Sequence, residues 1–184
     1  MKEFRTGFVG IVGRANVGKS TLINSFAKQK NAILNERPRR NKRVVRCIIN
    51  RPQAQIILVD VPSFQGIKDV TGKDRNKEAR KVLQEVDVIL FLVDATQVIG
   101  SEDGYIAKEL SKLKNPAFLA LNKADKINDS DLEAQFEVGK HLGDFVKIIP
   151  ISALKEEGLG VLLQEIEDQL PKRAKLYPDS GISK

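Results

Sequence analysis

Residues 13–20 read Gly-Arg-Ala-Asn-Val-Gly-Lys-Ser, the pattern G-x-x-x-x-G-K-S. It follows directly on the apolar run 8–12 and precedes a helix-like stretch over 21–29. Strand, glycine loop and helix in that order form the setting of a phosphate-binding loop. Gly13 and Gly18 let the backbone wrap closely around an anion. Successive N–H groups along Arg14, Ala15, Asn16, Val17 and on into Thr21, with the positive end of the following helix, then face phosphate oxygens. Lys19 is placed to reach the β and γ phosphates, and the Ser20 hydroxyl to bind magnesium.

A second motif says which nucleotide fits. The apolar run 116–121 ends in Asn122, Lys123, Ala124 and Asp125, the N-K-x-D pattern, at the carboxyl end of another buried strand. An aspartate there accepts both the ring N–H and the exocyclic amine of guanine, whereas adenine offers no matching pair of donors. ATP-dependent chemistry is therefore a poor fit. Asn122 bonds the base edge or braces the loop, and the Lys123 stem can lie over the ring. Ser152, Ala153 and Leu154, after the run 146–151, fit a loop that covers the guanine from the other side. A lone N-K-x-D means little, but downstream of a phosphate loop and at a strand end it carries weight, because open α/β sheets bind ligands there.

The rest of the chain alternates strands and helices. Short apolar, β-rich runs predict strands over 6–12, 44–50, 55–59, 88–94, 118–122 and 147–151. Helical spacing covers 19–29, 76–85, 102–113, 130–141 and 161–170. Such alternation implies an α/β fold with a mostly parallel six-stranded sheet and helices on both faces. The runs 44–50 and 55–59 are joined by only four residues, which forces an antiparallel hairpin and makes one strand antiparallel. At 184 residues, 41% of them apolar, the chain has room for one real core. No apolar stretch approaches a membrane span, and no signal-peptide pattern opens the chain; the single cysteine, Cys47, excludes an internal disulfide. Together these favour the cytoplasm, with a monomer as the expected state. His141, the only histidine, rules out histidine-rich metal sites and reads as a solvated helix position.

These motifs, in this order, resemble the translation-factor-related GTPases, and within them the Era-like GTPases of the TrmE-Era-EngA group. The stretches GFVGIVGRANVGKSTLINSF (7–26), VDATQ (93–97), 149–159 and LPKRAKLYPDSGIS (170–183) carry the likeness, which covers nearly the whole chain. The resemblance implies a P-loop GTPase domain over 1–171 and a linker or tail over 172–184. It implies GTP or GDP with magnesium as ligands, and a role in small-subunit and 16S ribosomal RNA assembly. Era-like proteins continue into an RNA-binding KH domain, whose G-x-x-G loop is not found after residue 171. Either this form is shortened, or it is a relative that works without that module.

Departures from the family pattern bear on catalysis. The family's switch threonine, a magnesium and γ-phosphate ligand, has no counterpart, since no threonine occurs between 22 and 70. The family's D-x-x-G reads Asp60, Val61, Pro62, Ser63. Asp60 keeps the carboxylate that holds magnesium through water, but at Ser63 a Cβ restricts the peptide flips that glycine permits. Phe64 stands where Ras-like enzymes place a water-orienting glutamine, an apolar choice usual in Era-like members, and Gln65 reads as a surface residue. The expected catalytic set is Lys19, Asn16 and Asp60. In several relatives an asparagine at the Asn16 position helps hold potassium near the β and γ phosphates; the alternative is a residue that stabilises the loop. Parts that grip GDP are complete and parts that sense the third phosphate are altered, so slow hydrolysis is expected. The alternative is a GDP/GTP-binding module with impaired hydrolysis that acts structurally or on RNA. Net charge is +7, and Arg37, Arg39, Arg40, Lys42, Arg43 and Arg46 crowd together without an intervening acid. That run suits a phosphate backbone such as ribosomal RNA, a solvated loop, or an arginine (Arg39 or Arg40) folded over the nucleotide.

Overall fold

Period-two alternation places nearly every strand residue. The computed structural model describes residues 3–29, 31–34, 44–64 and 72–178. Its elements run β1 (Arg5–Val12), α1 (Lys19–Ala27), β2 (Ala32–Leu34), β3 (Val44–Arg51), β4 (Ala54–Asp60), α2 (Gly72–Glu85), β5 (Val88–Asp94), α3 (Ser101–Leu110), β6 (Ala117–Asn122), α4 (Asp129–Leu142), β7 (Ile148–Pro150) and α5 (Leu159–Gln169). In β5, Val88, Leu90 and Leu92 enter one core with Leu22 and Phe26 of α1 and Leu162 and Ile166 of α5. Ile89, Phe91 and Val93 enter the other, with Leu83 of α2, Ile106 of α3 and Leu132 of α4. Strands covered on both faces read as continuous apolar runs, as these do.

The strands form one sheet in the order β2-β3-β4-β1-β5-β6-β7. Among the described residues it has seven strands where the sequence pattern predicts six. The extra one, β2, is a three-residue edge strand paired to β3 through Ala32–Ile49, Ile33–Ile48 and Leu34–Cys47. Three residues are too few to show alternation. β3 runs antiparallel to both of its neighbours, and the remaining pairs are parallel. The expected hairpin is present, its strands longer by a residue on each side, so that Pro52 and Gln53 alone make the turn. One irregularity interrupts it: Val45 pairs with Val59 and Cys47 with Leu58, leaving Arg46 as the extra residue of a β-bulge. Cys47 is fully buried, and burial pushes its thiol pKa up to about 11.

α2 begins four residues before the expected 76, because its first turn, Gly72, Lys73, Asp74 and Arg75, has no apolar residue to mark it. The segment after α5 lies against the sheet as far as it is described: Thr6 N donates to Pro171 O, Arg173 N to Phe4 O, and Tyr177 packs with Val45, Ile48 and Ile57. Arg37, Arg39, Arg40, Lys42 and Arg43 of the basic run, Gln65, and the end of the tail over 179–184 lie outside the described residues. Among the described residues, no helix is long and apolar enough to cross a membrane.

Candidate functional site

The parallel strands β1, β4, β5, β6 and β7 end on the same rim of the sheet, and β1, the start of the phosphate loop, lies between β4 and β5. Chain direction reverses its progress across the sheet at that point, where α/β sheets open a ligand crevice. The loop leaves β1 at Gly13, turns through Asn16 at φ 63° and reaches Gly18 at φ 105°. A Cβ on Gly18 would also collide with the Asn122 amide. Asparagine tolerates the left-handed region that most side chains avoid. No side chain caps the start of α1 and no acid sits in its first turn, so its positive end is uncompensated. Lys19 Nζ donates to the carbonyls of Gly13 (2.7 Å) and Arg14 (2.6 Å), which holds the ammonium across the loop. Burial lowers the pKa of Lys19, and the charge of Asp60 partly restores it. Ser20, on the first turn, is exposed.

Asn122 is buried and acts as a brace. Its Nδ2 donates to Val17 O (2.8 Å) and its Oδ1 accepts from Ala153 N (3.0 Å), stitching the phosphate loop to the Ser152–Ala153 backbone. Of the two roles open to Asn122, this is the one its geometry takes. Lys123, at φ 64°, is pinned by Nζ to Asp94 Oδ2 (2.5 Å) and to Asn16 O (3.0 Å). Burial would raise the Asp94 carboxyl, but hydrogen bonds from Lys123 and Thr96 outweigh it and hold the pKa below the ordinary range. Ser25 of α1 donates to Ala153 O (2.5 Å), a second tie to the same loop.

A cavity of about 200 Å³ opens among these groups, lined by Gly18, Thr21, Asn122, Lys123, Asp125, Lys126, Ser152 and Leu154. Asp125 is the acceptor on its wall. A hydrogen bond from the Ser152 hydroxyl lowers its pKa, burial opposes this, and Lys155, 3.6 Å from Oδ2, lowers it further. An ionised carboxylate in a concave, partly apolar cleft can take two parallel N–H donors from a planar ring. Leu154 is exposed and forms the cavity lip.

On the opposite flank, Asp60 ends β4. Its Oδ2 accepts from Arg46 Nη2 (2.6 Å) and Nε (3.1 Å). Ser63 is half-buried, and Phe64 packs edge-on against Tyr105 of α3, with ring centroids 6.4 Å apart. The Arg14 side chain is drawn sideways to Asp103 (2.9 Å), which leaves only its backbone to face a ligand. The sequence motifs assign no role to Asp94, Asp103, Ser25 or the Arg46–Asp60 pair. Asp94 closes a buried strand on the ligand rim; Asp103 and Ser25 act through partners 89 and 128 residues away, and the Arg46–Asp60 contact depends on the bulge in β3.

The family model of the 50S ribosome-binding GTPases matches residues 8–123, well over half of the chain. This chain belongs to that family. It is similar in sequence to GTPase Era of Ruminiclostridium cellulolyticum, 39% identical over 181 residues, 98% of this chain. A crystal structure of Era in complex with MgGDPNP and nucleotides 1506–1542 of 16S ribosomal RNA superposes with a TM-score of 0.80 at 36% identity, covering 97% of this chain. An Aquifex aeolicus Era variant bound to GDP and aluminium fluoride gives 0.79 at 35% identity over 98%. The chain spans 61% of the length of the first two and 62% of the third.

Proposed function

We propose that this member of the GTPase family binds guanine nucleotide at the carboxyl rim of its sheet and hydrolyses GTP to GDP and phosphate slowly. The observation that carries the reading is Asp125, a carboxylate acceptor on the wall of a cavity shared with Ser152 and tied to the phosphate loop through Asn122. The β and γ phosphates would rest against the loop amides over 13–20, and the base against Asp125, Ser152, Ala153 and Leu154. For this, Lys19 exchanges the carbonyls of Gly13 and Arg14 for phosphate oxygens, which accept more strongly because they are charged. Asn122 and Lys123 act as positioning residues for the loop.

Magnesium fits the donor set: Ser20 and Asp60 offer the hard oxygens that it prefers. When bound, it neutralises charge shared by the β and γ phosphates. Slow turnover follows from this chain's own residues. Asp60 is engaged by Arg46, and Ser63 has a side chain where the family pattern has none. We take Asn16 as a loop residue, consistent with its left-handed φ and the Lys123 bond to its carbonyl, so turnover should be equal in potassium and sodium chloride.

The similarity to Era crystallised with 16S ribosomal RNA supports an assembly role on the small subunit in the cytoplasm, with the domain over 1–171 and the tail over 172–184. The basic run from Arg37 to Arg46 supplies cations of the right kind. Phosphate release under saturating GTP, with and without magnesium, tests the enzymatic reading. A slow release above the uncatalysed rate is expected; none at all would leave a binding module.

A further inference from the structure

The β-bulge in β3 puts an arginine on the carboxylate that the proposed reaction needs free. Val45 and Cys47 are both buried, and Arg46 is the unpaired residue between them, exposed. Bulges re-aim a side chain that regular pairing would send elsewhere. Here the guanidinium lands with two nitrogens on one oxygen of Asp60. Two N–H groups from one planar fork fix the contact better than a lysine would. No threonine lies between 22 and 70 to supply another oxygen from that stretch.

We propose that Arg46 is a resident counter-charge for Asp60 that competes with divalent cations for its carboxylate, so that magnesium acts on guanine-nucleotide binding by this chain only at a modestly higher concentration than it would without Arg46. The inference rests on the nucleotide site proposed above and adds its metal response. A carboxylate already neutralised at 2.6 Å attracts a dication less, and the guanidinium repels it. Both partners are about half exposed, at 45% and 41%, which limits the competition to a modest size. Exposed pairs of this kind shift equilibria by about two- to fivefold.

The test follows release of a fluorescent GDP from the full chain while MgCl2 is raised from an EDTA baseline. For R46A the magnesium concentration that half-slows release should fall by about two- to fivefold relative to wild type. R46Q, which keeps a polar stem at the bulge, should move the same way and serves if R46A does not fold. R173A removes an equal charge from Asp87, near the opposite ends of the strands, and should leave the midpoint where it is. An unmoved midpoint in R46A and R46Q, or no magnesium effect in either, overturns the proposal while leaving nucleotide binding intact. An equal shift in R173A overturns it as a general charge effect. Failure of wild type to bind GDP at all overturns the nucleotide site and this inference together.

Discussion

At Asn122 one amide uses both ends on backbone from two different loops. Replacing it by alanine strands the carbonyl of Val17 and the N–H of Ala153, both buried. Each unsatisfied group costs about 1–3 kcal/mol. Urea unfolding of Asn122→Ala should therefore show a loss of about 2–4 kcal/mol with unchanged slope, and GDP affinity should fall with it. Asp125 allows a pH prediction. Its pKa in the folded protein is held below the ordinary carboxylate range, so the acceptor stays charged until pH falls through that lowered value. GDP affinity should stay flat from pH 8 down to about 5 as far as this residue governs it, and weaken in stronger acid. Binding titrations across that range check it.

Among the elements, β4 links the site to the far end of the chain. Gln55 is fully buried, donates to Asn50 Oδ1 and Tyr177 O, and accepts from the N–H groups of Leu176 and Tyr177. Gln55→Leu keeps the bulk and removes every one of these bonds. Limited proteolysis should then cut within 172–178 faster than in wild type, with about 1–3 kcal/mol of stability lost. The sequence made most elements readable because their strands are long, apolar and closed by turn residues. It hid β2, which is too short to show a period, and the start of α2, whose first turn is wholly polar. Lys19 and Asp125 stand out in the sequence because the phosphate-loop and N-K-x-D patterns have a fixed local spacing, and the structure brings them with Ser152 to one rim. Arg46 on Asp60 was not: the contact depends on a bulge, and a bulge shifts register without leaving a mark in composition. Arg14 on Asp103 spans 89 residues and needs the folded sheet to bring α3 beside the loop.

For the whole molecule, a net charge of +7 makes association with a polyanion an ionic-strength effect. If several of the clustered arginines meet phosphates, affinity for a single-stranded 16S fragment should fall steeply with salt, with a log-log slope of about −0.7 per phosphate contact. A filter-binding series in rising KCl measures that slope. In the proposed reading the loop over 13–20 is complete for two phosphates and the groups meant to meet the third are altered, so binding should outlast switching. Displacement of a fluorescent GDP by unlabelled competitors tests this most directly. GDP should displace it at concentrations no higher than a non-hydrolysable GTP analogue, with ATP ineffective; displacement by ATP, or a strong preference for the triphosphate, would contradict the account.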